Sequence, residues 1–98
     1  MQQIKFRGGA KIGKMSNSWP FATLTATKEE LRLNAPMTGN YSFKPADIIA
    51  IEPFTYFLNK GLRIKHNIKE YKENVEFWTF KDPEAILNQI RMIGFKVP

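Results

Sequence analysis

The segment 75-VEFWTFKDPEAILNQIRMIGF-95 decides the expected fold, because it contains an apolar stretch, a helix start and a helix end in succession. Asp82 can accept hydrogen bonds from the first helical turn, and Pro83 lacks the N–H that this position would leave unpaired. Gly94 can adopt the left-handed conformation that ends a helix. We therefore predict a last strand followed by one C-terminal helix. The apolar stripe of that helix consists of Ile86, Leu87, Ile90 and Ile93.

Upstream of this segment, polar and apolar residues alternate with the period of two that is typical of strands. Residues 21–27 and 31–34 alternate on either side of a polar turn and predict a hairpin. Residues 62–69 alternate most regularly, with apolar side chains on one face and cations on the other. We expect an α+β, mainly β fold: a bent antiparallel barrel of six to seven strands capped by one C-terminal helix.

A chain of 98 residues corresponds to one domain, although its first part has a different composition. Residues 1–18 contain four cations, three glycines and no acidic residue. We interpret them as a basic N-terminal arm or an edge strand with a loop. Residues 19–98 then form the domain itself.

The composition excludes some classes of protein and site. The chain has no cysteine, which excludes disulfides and thiolate metal sites and fits a reducing compartment. No apolar run reaches the length of a membrane span, and the N-terminus does not have the apolar core of a secretory signal. We expect a cytoplasmic protein. The net charge of +6 either favours anionic partners or serves only solubility.

Two groups of residues are candidates for binding. The first is an aromatic loop at residues 54–60, whose side chains either fill the barrel mouth or dock a partner or a membrane surface. Its interface residues are Phe54, Tyr56, Phe57 and Leu58, together with Trp78 on the last strand. The apolar faces of that strand are covered either by the helix or by a second subunit.

The second group is a basic ladder, which could bind phosphate or carboxylate groups. Alternate residues of a strand point to the same side, so their charges add to one positive field. The alternative is a solvated outer face that discourages edge pairing. The anion-binding candidates are Lys60, Arg63, Lys65 and Lys69.

Nothing in the sequence indicates catalysis or a metal site. His66 is the only histidine, and it shares a face with apolar residues, so we expect it to be packed or hydrogen-bonded in the core. No serine or acidic residue stands at a recognisable triad or dyad spacing. We expect a protein without catalytic residues, metal or cofactor. The sequence signatures of the common RNA-binding modules are also absent.

The hairpin 24-LTATKEELRL-33, the strands in residues 41–52 and the closing strand and helix together resemble GRAM domains and bacterial pleckstrin-homology-like (PH-like) domains. The resemblance spans roughly residues 19–95 and implies a bent barrel that binds lipid headgroups, peptides or proteins. Glu29 and Glu30 occupy the hairpin tip where phosphoinositide-binding members carry basic residues, so the resemblance does not predict phosphoinositide recognition.

Together these observations predict a non-enzymatic PH-like binding module that mediates protein–protein contacts or self-association as a homo-oligomer. A peripheral module that binds an anionic lipid surface is the first alternative. A small nucleic-acid-binding domain is the second, less favoured alternative. These functions are expectations by analogy, because a fold does not by itself fix a function.

Overall fold

The computed structural model describes residues 2–57 and 59–98. Within these residues, seven antiparallel strands form one curled half-barrel sheet, and a helix follows at the C-terminal end. This arrangement confirms the predicted mainly β class with a single C-terminal helix. The sheet order is β4-β3-β2-β1-β7-β6-β5. The elements are β1 Ile4–Ile12, β2 Met15–Ala26, β3 Leu31–Ala35, β4 Gly39–Phe43, β5 Ile48–Tyr56, β6 Asn59–His66, β7 Val75–Trp78 and α1 Pro83–Met92.

The predicted hairpin of β2 and β3 shows how alternation builds the core. Leu24 pairs with Leu33 and Ala26 pairs with Leu31, and all four side chains are buried on the concave face. The intervening Thr25 lies on the opposite, outer face of the sheet, because successive side chains of a strand alternate. The same rule places the apolar residues of the other strands inside the half-barrel.

The helix α1 begins and ends as its sequence predicts. The Asp82 side chain accepts a hydrogen bond from the Glu84 N–H at 3.1 Å. Gly94 has a φ of 105°, in the left-handed region, and Phe95 after it is buried. The apolar stripe of α1 packs against β5 and β6 and closes the core. No helix in the described part of the chain is long and apolar enough to cross a membrane.

The N-terminal residues differ from the prediction of an arm or an edge strand. β1 lies between β2 and β7 and is therefore an interior strand of the sheet. Its glycines, which suggested a loop, allow close approach of the neighbouring strand. A Cβ on Gly8 would lie 2.0 Å from the Trp78 carbonyl oxygen and 2.8 Å from the Phe77 ring. The absence of a side chain therefore permits this pairing, as glycines within strands often do.

The predicted aromatic loop at residues 54–60 is also shorter than expected. β5 extends to Tyr56 and β6 begins at Asn59, and these two residues pair across a hairpin. Gly61, which suggested the end of the loop, lies buried inside β6. A Cβ on Gly61 would stand 1.8 Å from the Phe77 carbonyl oxygen, so this glycine is required by the contact with β7. Gly61 therefore indicates close packing of two strands and not a turn.

Candidate binding surface

A pocket lies where β1, β2 and the end of β7 meet the start of β6. Its cavity measures about 130 Å³. Aromatic rings form much of its wall, and one lysine stands at its side. We call it the aromatic pocket and define it by Gly9, Trp19, Lys60, Trp78, Thr79 and Phe80.

An enlarged bulge in β2 brings Trp19 to this pocket. Residues 18–21 of β2 lie opposite Gly9 alone, because the register resumes only with Gly8 paired to Ala22. The extra residues bend β2 and turn its side chains outward, as bulges do. Trp19 remains 52% exposed and contacts Phe80, with ring centroids 5.6 Å apart in an edge-to-face arrangement. Phe80 itself is 70% exposed.

Trp78 is held in place by a chain of polar contacts on the outer face of the sheet. Its Nε1–H donates to Glu76 Oε1 at 3.0 Å. The other carboxylate oxygen of Glu76 accepts from Arg63 Nε at 3.3 Å. The Arg63 guanidinium in turn lies 5.0 Å from the centroid of the Phe54 ring. These contacts fix the orientation of the indole, so the wall of the aromatic pocket is pre-organised.

The structure separates the residues of the predicted basic ladder. Arg63 and Lys65 share the outer face of β6, but Lys65 Nζ lies 3.4 Å from Glu52 Oε1, and Arg63 is paired with Glu76. Both acidic partners come from neighbouring strands, which the linear sequence does not show. Lys69 lies beyond the end of β6 in a turn, and Lys60 lines the aromatic pocket.

The residues of the predicted partner interface fall into different environments. Tyr56 is 67% exposed and Phe57 is 86% exposed at the tip of the β5–β6 hairpin, with their rings 4.7 Å apart. These two side chains therefore do not fill the barrel mouth. Phe54 is half-buried beneath Arg63, and Trp78 belongs to the aromatic pocket. Leu58 lies outside the described residues.

His66 is packed and hydrogen-bonded, as predicted, but it is half-buried at the end of β6 and does not lie in the core. Its Nδ1 accepts from the Ile68 N–H at 3.0 Å, so Nε2 carries the proton and donates to the Lys72 carbonyl oxygen at 2.9 Å. The ring also packs against Phe43, with centroids 5.2 Å apart. These contacts give His66 a structural role in closing the end of β6.

The cations of β1 form a third group, which the interpretation of residues 1–18 as an arm sets aside as too flexible to form a defined pocket. Lys5 and Arg7 are exposed and Lys11 is half-buried, and their spacings of two and four residues place all three on the outer face of an interior strand. None of them forms an ion pair within the described residues. The sequence signal for this group is the complete absence of acidic residues from positions 1–28, which contain the hairpin of β1 and β2.

A separate polar cluster surrounds Glu30 near the β2–β3 turn. The Ser42 hydroxyl donates to Glu30 Oε2 at 2.6 Å, and Arg32 pairs with the other carboxylate oxygen. The hydrogen bond from Ser42 is the main cause that holds the pKa of Glu30 below its ordinary value; burial opposes it, and Arg32 adds to the lowering. This cluster ties β4 to the hairpin of β2 and β3.

Comparison with known proteins finds no matching family model, no matching curated protein and no matching solved structure. The resemblance to GRAM and PH-like domains therefore remains a hypothesis based on the sequence pattern. Among the described residues, no group of three or more histidine, cysteine, aspartate or glutamate side chains is arranged to hold a metal ion.

Proposed function

We propose that this protein is a non-enzymatic, PH-like binding module that acts in the cytoplasm through contacts with other proteins. One observation carries the proposal: Trp19, Trp78 and Phe80 surround a cavity large enough for an apolar side chain. We infer that a partner inserts such a side chain into the aromatic pocket. The absence of cysteine from the chain is in keeping with a reducing compartment.

The exposure of Trp19 and Phe80 supports a role in binding. Large apolar side chains left in water forgo the stabilisation that burial gives, so a cluster of them indicates a contact surface. Tryptophan is also among the residues that dominate binding energy at protein interfaces, where it typically sits in a well-packed pocket. Trp78 already has its indole N–H satisfied by Glu76, so a partner could cover it without leaving a polar group unpaired.

A selection from a displayed library of random linear peptides tests this proposal. We expect peptides with one large apolar residue to be enriched on the unaltered protein and lost on the Phe80→Ala variant. Met37→Ala is the matched control, because Met37 is equally exposed at 70% but does not line the aromatic pocket. Enrichment that survives Phe80→Ala, or no enrichment on any protein, would contradict the proposal.

Binding to an anionic lipid surface is a second candidate, which the tip of the β5–β6 hairpin favours. Tyr56 and Phe57 are exposed together at the hairpin tip, and Lys60 follows on β6, a combination of aromatic and cationic residues that interfacial segments use to enter the headgroup region. Vesicles of mixed phosphatidylcholine and phosphatidylserine should then sediment the unaltered protein and the Met37→Ser control, but much less of the Phe57→Ser variant. Equal sedimentation of all three proteins would remove this candidate.

A further inference from the structure

We infer that the partner of the aromatic pocket is a second copy of this chain, and that the inserted side chain is Phe57 at the tip of the β5–β6 hairpin. Each copy inserts its Phe57 into the aromatic pocket of the other, so that two copies form a symmetric dimer. This inference rests on the proposed function, because it takes the aromatic pocket as the site that receives an apolar side chain.

Phe57 has the properties of an anchor residue. Its side chain is 86% exposed, the largest exposed fraction of any large apolar side chain among residues 2–57 and 59–98. Its φ is 52°, and within the same residues no other residue except glycine has a positive φ. Hairpin loops of two residues favour Asn, Asp or Gly at such a position, and a bulky residue there is strained. Phe57 therefore combines a strained backbone with an unburied ring, and a partner that covers the ring would remove the cost of its exposure.

The aromatic pocket has the size and the lining to receive a phenyl ring. An engineered apolar cavity of about 150 Å³ in another protein binds benzene. The aromatic pocket measures about 130 Å³ and opens at the surface, so it does not have to enclose the ring completely. Trp19 and Phe80 already pack edge-to-face against each other, and an inserted phenylalanine ring can pack against both in the same way.

The anchor and the aromatic pocket lie side by side on the molecule. Asn59 pairs with Tyr56 across the hairpin, and Asn59 and Lys60 both line the cavity. Phe57 precedes Asn59 by two residues, a separation of at most about 7 Å between Cα atoms, but it does not line the cavity of its own chain. A two-fold axis between anchor and pocket brings each Phe57 to the pocket of the other copy. The contact then forms twice and closes after two copies.

The net charge gives this dimer a signature that separates it from complexes with anionic partners. Two copies that each carry a net charge of +6 repel one another, and Lys60 stands beside the aromatic pocket in both. Salt screens this repulsion and leaves the apolar contact in place. Dimerisation should therefore strengthen as the salt concentration rises, whereas binding to a nucleic acid or to another anionic surface weakens.

Sedimentation equilibrium and tryptophan emission measure the dimer without any added ligand. Trp19 and Trp78 are the only two tryptophans and both line the aromatic pocket, so its burial should shift the emission to shorter wavelength as the protein concentration rises. The contact surface is small, so we expect a Kd between about 10 μM and 1 mM. A protein that stays monomeric with constant emission up to about 1 mM would overturn the inference, even at high salt.

A variant at the tip shows whether Phe57 is the anchor. Phe57→Asn removes the ring and supplies a residue that tolerates a positive φ, so it should be at least as stable as the unaltered protein in thermal denaturation. Its dimerisation should nevertheless weaken at least about tenfold. Met92→Ala is the control, because Met92 is 84% exposed and does not line the aromatic pocket. Equal dimerisation of Phe57→Asn and the unaltered protein would overturn the inference.

A mixture of two defective variants tests whether the anchor enters the pocket of the other copy. Phe57→Asn keeps an intact pocket and Phe80→Ala keeps an intact anchor, but a dimer of either variant alone contains no complete contact. A mixed dimer contains one complete contact. An equimolar mixture should therefore dimerise more than either variant does at the same total concentration, and a mixture that does not would overturn the insertion of Phe57.

The remaining outcomes distinguish this inference from the proposed function. A monomeric protein that still selects apolar peptides through Phe80 would overturn the inference and leave the aromatic pocket as a site for another protein. A monomeric protein that needs Phe57 to sediment with phosphatidylserine vesicles would assign the ring to the membrane and also overturn the inference. Assembly beyond two copies would show an open head-to-tail contact and overturn the two-fold arrangement. Association that weakens as the salt concentration rises would contradict an apolar contact between like-charged copies.

Discussion

Truncation of Ile90 to alanine tests whether α1 closes the hydrophobic core. Ile90 has no exposed surface, and it belongs to the stripe that packs α1 against β5 and β6. The change removes three carbons from a buried side chain. At about 0.8 kcal/mol per buried carbon, the lost transfer free energy is roughly 2.4 kcal/mol. The cavity left behind adds to this, so we expect a total loss of about 3 kcal/mol, within the range measured for such changes.

Equilibrium unfolding in urea, followed by tryptophan fluorescence, measures this loss. A domain of this size has a stability of about 5–15 kcal/mol, so the variant should still fold and its unfolding midpoint should fall by about 1–3 M. Met92→Ala is the matched control on the same helix, because Met92 is 84% exposed and alanine is the better helix former. A loss below about 0.5 kcal/mol for Ile90→Ala, or an equal loss for both variants, would refute the role of α1 in the core.

Three further predictions concern other parts of the molecule. Gly61→Ala should lower the free energy of unfolding by about 1–3 kcal/mol, because the Cβ of the new alanine would collide with the backbone of β7. The same urea assay measures this loss, and a loss as small as that of Met92→Ala would contradict the close contact. The lowered pKa of Glu30 stabilises the fold at pH values above the ordinary pKa of a glutamate, and this stabilisation is lost as the pH falls through the lower pKa of the folded state. The stability difference between the unaltered protein and Glu30→Gln should therefore be larger at neutral pH than at acid pH, and a difference that does not change with pH would contradict the pKa assignment. The exposed rings of Tyr56 and Phe57 predict that the protein self-associates and that Phe57→Ser weakens this association. Sedimentation equilibrium that shows only monomer at high concentration would contradict the prediction.

Local patterns in the sequence determined most of the elements. The alternation around residues 21–34 predicted the hairpin of β2 and β3, because the period of two is a property of the strand itself. The cap at Asp82 and the left-handed glycine at Gly94 predicted the ends of α1 for the same reason: each acts through hydrogen bonds and dihedral angles within a few residues. The structural role of His66 also followed from the face that it shares with apolar neighbours.

Glycine was the residue whose meaning the sequence did not reveal. Gly8 and Gly61 suggested loops, because glycine is frequent in turns. In the structure both lie in strands, where a Cβ would collide with β7. A strand glycine that allows close packing and a turn glycine look the same in a linear sequence, because the atoms that require them belong to another part of the chain.

The candidate site depends even more on long-range contacts. The sequence alone indicated that the protein is basic, that its first 28 residues lack acids, and that its aromatic residues are numerous. Only the tertiary structure decided that Glu76 and Glu52 neutralise Arg63 and Lys65 while Arg7 and Lys11 stay unpaired. Only the sheet order joined Trp19 to Phe80 across the chain. The physical reason is that alternation fixes which face of a strand a side chain occupies, whereas strand order and register fix which charges and rings become its neighbours.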